Sequence, residues 1–291
     1  MKKQLIRLLS RLPFGVLYAL SDVAYCVVRH IIKYRRDVIR TNLRNAFPEK
    51  SDKELRDIEK GFYHFICDYG VESLKLLTIS QEEMKRHMKF ENTEEVNRAL
   101  DDHNFVFVYI GHYGNWEWMS SLPLWVREDA TLGELYRPLK SKTMDDIFIE
   151  IRQHFNAECI SKYDALRHIM RFNAEKKKCI IGFVADQTPH PENTQLWMDF
   201  LSQDTPIFTG TERIGKKVNA AIYFADIHKE KRGQYRCVFK KITHDIKKYP
   251  DYQITEICTH ELEQMIRRQP EIWLWSHKRW KHKRPQPKLE D

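Results

Sequence analysis

Phe105-Val106-Phe107-Val108-Tyr109-Ile110 is followed directly by Gly111-His112-Tyr113-Gly114-Asn115-Trp116-Glu117, and this junction decides the fold. An uninterrupted run of aromatic and β-branched residues suits a strand covered on both faces, as parallel sheets require. Gly111 ends the run, and Gly114 permits a sharp turn into a helix. Other strand-like runs occupy 130–135, 179–184, 220–226 and 235–242. Helical patterns at about 143–155, 164–175, 209–217 and 251–268 separate several of them. Strands alternating with helices predict an α/β fold with a central mixed, partly parallel sheet flanked by helices.

Upstream of the junction the pattern is helical. Ser51 and Glu54 have capping-box spacing, and Leu55, Ile58, Phe62, Phe65, Ile66 and Tyr69 then recur at helical intervals, which predicts a helix over 52–76. Ser80 with Glu83 opens a short helix, and 93–101 form a further one. The N-terminal 50 residues carry eleven Lys or Arg against Asp22, Asp37 and Glu49, which accounts for the whole formal net charge of +8. A basic excess at one end suits an anionic surface, either nucleic acid or a membrane leaflet. The apolar stretch LPFGVLYALSDVAYCVVRHII at 12–32 favours the membrane. Asp22 and Arg29 interrupt it, so a helix lying in the interface or inserted partway is expected as readily as a spanning one. The expected organisation is a membrane-associating helix over 1–36 and a catalytic domain over 37–291. The six cysteines show no CxxC pair, and scattered thiols indicate a reducing compartment. That places the catalytic domain at the cytoplasmic face of the membrane.

His112 and Glu117 are the first candidates for chemistry. Five residues apart on a regular helix they would point away from each other, at 3.6 residues per turn. They meet only if His112 lies in the turn between strand and helix. A carboxylate that orients an imidazole and stabilises its protonated form makes it an effective general base. The pair is expected at the mouth of an apolar channel. Two other patterns fail on inspection. Gly210 to Lys217 mimics a phosphate-binding loop, but Lys217 stands where Ser or Thr would bind Mg²⁺. His260-Glu261-Leu262-Glu263-Gln264 lacks the second histidine of a zinc-protease helix, so no metal site is expected. The absence of a G-x-S-x-G elbow argues against an acyl-serine intermediate and for direct transfer in a ternary complex.

The run Gly111-His112-Tyr113-Gly114-Asn115-Trp116-Glu117 closely resembles the central HX4E motif of the late acyltransferases of lipid A biosynthesis. Blocks in the same order extend the resemblance over roughly 35–285. They include Arg40-Thr41-Asn42-Leu43 with Ala46-Phe47-Pro48, Tyr136-Arg137-Pro138, Ala185-Asp186-Gln187 and Phe208-Thr209-Gly210. The ending from Pro270 through Trp273, Trp275, His277 and Arg279-Trp280-Lys281 matches as well. The resemblance implies a bacterial inner-membrane enzyme that moves a fatty acyl group onto a lipid hydroxyl. His112 would be the base and Glu117 its partner, with Gly114, Asn115, Arg137, Asp186 and Gln187 around the substrates. Arg137 suits an anion, an acceptor phosphate or a donor phosphopantetheine, and Asp186 suits a shaping or hydrogen-bonding role. Acyl carrier protein is the implied donor, with coenzyme A thioesters the alternative, and no other cofactor is expected.

The stretch between Asp186 and Gly210 departs from the family pattern, so a lysophospholipid or aminolipid acceptor is an alternative to a lipid A precursor. A non-catalytic membrane- or nucleic-acid-binding protein is the alternative from another class, and nucleic acid is not the expected partner. Tryptophans and basic residues interleave in the C-terminal stretch, which suits a membrane interface and equally stacking on nucleic acid, the alternative being tryptophans packed in the core, Trp273 first among them, with a solvated basic end.

Overall fold

The computed structural model describes residues 2–285. The chain begins with α1 (Lys2–Ser10), α2 (Phe14–Cys26, continued by a wider-wound turn over Val27–Ile32), α3 (Arg36–Ala46), α4 (Asp52–Lys75) and α5 (Gln81–His87). Then come β1 (Met88–Glu91), α6 (Thr93–Asp102), β2 (Phe105–Ile110), a 3₁₀ segment (Trp116–Leu124), β3 (Thr131–Tyr136), α7 (Lys142–Gln153), β4 (Glu158–Ser161) and α8 (Ala165–Ala174). The last part holds β5 (Cys179–Val184), β6 (Leu196–Phe200), β7 (Gln203–Ile207), α9 (Gly210–Val218), β8 (Ala221–Lys231), β9 (Gln234–Thr243) and α10 (Gln253–Arg268).

Seven strands form one sheet in the order β1-β9-β8-β2-β5-β3-β4. Every neighbouring pair is parallel except the antiparallel hairpin β8–β9, so the sheet is mixed, as its sequence predicts. β6 and β7 make a separate two-stranded antiparallel sheet. All six residues of β2 are buried, which explains why this strand reads as continuously apolar. The chain leaves β2 toward β3 on one side and leaves β5 toward β8 on the other. β2 and β5 are neighbours, so each connection crosses over the other strand of the pair, and both leave from the C-terminal ends, where open α/β sheets bind ligands.

The start of α4 carries the expected capping box, with Ser51 and Glu54 exchanging side-chain and backbone bonds. Ser80 likewise accepts from the Glu83 amide. Two expectations are corrected. The segment after Gly114 is 3₁₀ rather than α-helical, and Pro123 lies inside it and cannot supply an amide. Trp273 and Trp275 are buried in the core and Trp280 is half-buried, so the interleaved tail exposes chiefly its basic residues.

α2 with its continuation, Phe14–Ile32, is long and apolar enough to cross a bilayer, and only 17% of it is buried. Leu5, Leu8, Val16, Leu20, Val23, Ile31 and Ile32 are exposed. The helix is nonetheless tied to the domain by polar contacts. Ser21 Oγ donates to Asp68 Oδ1 at 2.7 Å, Tyr18 Oη donates to Glu72 at 3.1 Å, and Arg232 bridges Asp22 and Asp68. Asp22, the residue that interrupts the apolar run, therefore has a partner on the domain.

Candidate active site

Register brings the site together. Ile110 of β2 pairs with Val184 of β5, so the residues two positions beyond them emerge side by side. Those residues are His112 and Asp186. His112 Nδ1 lies 2.5 Å from Asp186 Oδ1, and the His112 backbone amide donates to Oδ2 at 2.8 Å. Trp273 Nε1 donates to the same Oδ2, also at 2.8 Å. The Asp186 side chain is 2% exposed and that of His112 18%.

The turn itself is clamped by the C-terminal stretch. Gly114 N donates to the Ile272 carbonyl at 2.9 Å, and Leu274 N donates to the His112 carbonyl at 3.1 Å. Tyr113 Oη caps α10 through the carbonyls of Met265 and Gln269. Gly114 has φ +56°, and a Cβ there would lie 2.9 Å from Ile227 Cγ2, so both backbone and space call for glycine. A Cβ on Gly111 would approach Leu262 to 2.6 Å.

Burial alone would raise the Asp186 carboxyl. The adjoining His112 imidazole outweighs that, together with the donors from His112 and Trp273, and holds the group at about 2. An ionised carboxylate only accepts hydrogen bonds, so the Nδ1 facing it carries a proton, and in the neutral imidazole the lone pair is then on Nε2. The Gln187 side-chain amide is 3.1 Å from Nε2 and, in that tautomer, donates to it.

Glu117 is not bonded to His112, contrary to the expected pairing. Arg152 of α7 holds it in a two-pronged ion pair, Nε to Oε2 and Nη2 to Oε1, each at 2.9 Å. Tyr69 Oη and Trp116 Nε1 each add a bond at 3.2 Å. The Trp116 ring stands edge-on to His112, with centroids 5.2 Å apart, and stacks on Tyr69 at 4.1 Å. The carboxylate that orients His112 is therefore Asp186. The β2–β5 register places Asp186 opposite the histidine, whereas the guanidinium draws Glu117 away. The Glu117 cluster supports the wall beside the imidazole through Trp116.

Glu134 of β3 approaches the same Arg152 at 3.7 Å, and one of its oxygens is buried without a partner. Burial pushes its carboxyl up to about 8 despite the guanidinium. Between the ordinary carboxylate range and pH 8 the folded chain thus holds a proton that the unfolded chain releases, and stability falls as pH rises through that window. The slope is at most about 1.4 kcal/mol per pH unit. Glu134→Gln is expected to abolish this slope, which thermal unfolding measured from pH 5 to 9 reads directly.

The other sequence candidates are placed as follows. Asn115 is buried and turned from the histidine, with Nδ2 donating to Glu72 Oε2 at 2.9 Å. Glu72 also accepts from Tyr235 and Tyr18. Arg137, just past the end of β3, is exposed and has no ion-pair partner among the described residues. The segment Gly210–Lys217 lies within α9, not in a loop. Beside Asp186 sits a recess of about 30 Å³, walled by Ile110, Ile207, Phe208, Phe224 and Leu262. Its apolar character suits hydrocarbon, but its size is about that of one water, so it is no open channel in this structure.

A family model of bacterial lipid A biosynthesis acyltransferases matches residues 3–282. The lipid A biosynthesis palmitoleoyltransferase of Escherichia coli (strain K12) is 24% identical over 277 residues, spanning 93% of this chain and 87% of the relative. The lipid A biosynthesis acyltransferase of Shigella flexneri is similar at the same identity and over the same shares. With a match over nearly its whole length, this chain belongs to the bacterial lipid A biosynthesis acyltransferase family and is an acyltransferase.

Proposed function

We propose that the enzyme transfers a fatty acyl group from an acyl thioester, carried by acyl carrier protein, to a hydroxyl of a lipid A precursor at the cytoplasmic face of the inner membrane. The names of its relatives support the acceptor, and the exposed apolar residues of α1 and α2 support membrane attachment. The observation that carries the chemistry is the His112–Asp186 pair, with Nδ1–H bound to the carboxylate and Nε2 left as a base.

The acceptor hydroxyl takes the place of the Gln187 amide at Nε2. His112 removes its proton as the oxygen attacks the thioester carbonyl, and Asp186 stabilises the imidazolium that forms. The new C–O bond forms, the C–S bond breaks, and the proton returns through His112 to the departing thiolate. The displaced Gln187 amide and the unpaired Arg137 supply donors for developing negative charge and for phosphate. The recess beside Asp186 opens to take the acyl chain as Phe208 and Leu262 move aside.

The test is to incubate membranes containing the protein with radiolabelled acyl–acyl carrier protein and resolve the lipids. The expected result is label in a lipid A precursor, absent from membranes lacking the protein. Label in a lysophospholipid or aminolipid would replace the acceptor, and label only from acyl-coenzyme A would replace the donor.

A further inference from the structure

A cavity of about 820 Å³ lies between α3 and the C-terminal stretch, and its lining includes neither His112 nor Asp186. Its lining mixes Thr41, Asn42 and Asn45 of α3 and Gln203 at the start of β7 with the apolar Val38, Trp280 and Pro285. Lys278, Lys281, Lys283 and Arg284 face two carboxylates, Asp37 and Asp204. Arg284 is committed to Asp204, at 2.7 and 3.0 Å, while the three lysines have no ion-pair partner among the described residues.

The lining also holds an unmet donor. Gln203 Nε2, in the wall, is buried with no acceptor. Native proteins rarely leave such a donor unpaired. A pocket with surplus cations and an unpaired amide donor calls for a ligand rich in acceptor oxygens and negative charge.

The volume is that of a small-molecule site and well beyond a single phosphate. α3 begins only four residues after Ile32, the exposed apolar end of the α2 continuation. The pocket is thus placed by the chain next to the segment proposed to meet the bilayer. We infer that this cavity binds the phosphate-bearing head group of a membrane lipid, at a site separate from the histidine pair. A concave pocket with amide side chains among its lining fits a head group better than the flat contact of a docked protein.

The experiment uses the full-length protein and phosphatidylcholine vesicles with and without 20% phosphatidic acid, a composition chosen as probe. Phosphatidic acid is expected to raise vesicle binding, and Lys278→Gln with Lys281→Gln to cut that gain by about tenfold. A charge-matched pair away from the cavity, Lys85→Gln with Lys89→Gln, is expected to change it less than twofold. The His112→Ala protein is expected to bind as the wild type does, which separates this site from the transfer chemistry. Inorganic pyrophosphate tells the two phosphate sources apart. Weak displacement at millimolar concentration supports a lipid head group, and full displacement at micromolar concentration makes the site one for free phosphates. Equal losses from the two lysine pairs would overturn the site in favour of general charge attraction. Unchanged vesicle binding with lost binding of acyl carrier protein would overturn it in favour of a protein partner.

Discussion

Asp186→Asn is expected to lower kcat by about 10³–10⁴, with KM for both substrates little changed. The side chain is nearly isosteric, and its oxygen can still accept from the His112 amide and Trp273, so the turn keeps its shape. Its amide NH₂, however, is a donor turned toward Nδ1. The imidazole must then accept at Nδ1 and carry its proton on Nε2, where the base is required. The enzyme loses both the correct tautomer and the negative charge that stabilises the imidazolium. The wild-type carboxyl is held at about 2, so it remains ionised throughout the working range and no acid limb near neutrality belongs to it. His112→Ala is expected to reach the same floor. The double variant should be no slower than either single one, because the two groups act as a unit. Steady-state and single-turnover rates of the three variants check this.

Glu117→Gln is expected to act first on stability. Glu117 is 3% exposed and holds Arg152 by two bonds, so neutralising it leaves a mostly buried guanidinium short of a carboxylate. Breaking such a pair costs about 3–5 kcal/mol. Glu134 reduces the loss, because it lies 3.7 Å from Arg152 and can ionise in place of its neighbour. The single variant is expected near 3 kcal/mol, roughly 6 °C in Tm, and Glu117→Gln with Glu134→Gln nearer 5 kcal/mol. Activity should fall as Trp116 loses its anchor, and the loss should ease at lower temperature, whereas that of Asp186→Asn should not. Calorimetry alongside rates at two temperatures reads both.

The parts of this architecture that announce themselves in sequence are those with a local cause. β2 is legible because both its faces are covered, α4 because Ser51 and Glu54 cap it, and α10 because its apolar residues recur at helical intervals. The short strands β1, β4, β6 and β7 are not legible. Each has four or five residues, and its pairing is decided by partners far along the chain. α3 is hidden in a run of arginines, although Ile39, Asn42, Leu43 and Ala46 keep its inner face buried.

The site divides in the same way. His112 and its turn can be read from Gly111 and Gly114, because the constraint is on neighbouring residues. The partner of His112 cannot be read from spacing, because it depends on the register of β2 against β5. Glu117 is five residues away and Asp186 is 74, yet the sheet makes the distant one adjacent. Arg152 carries no motif and lies in an ordinary amphipathic helix, so nothing local reveals that it captures Glu117. Trp273 reads as a core residue and is one, but its indole N–H also fixes the carboxylate that fixes the base.

The measurement closest to the central claim is the proton spectrum of ¹⁵N-histidine-labelled protein in detergent, recorded for wild type, His112→Ala, Asp186→Asn and Glu117→Gln at a temperature where all are folded. A far-downfield Nδ1–H resonance is expected from the imidazole bound to a carboxylate. It should be absent from His112→Ala, lost in Asp186→Asn and retained in Glu117→Gln. A resonance that survives Asp186→Asn and vanishes in Glu117→Gln would contradict the account and return the orienting role to Glu117.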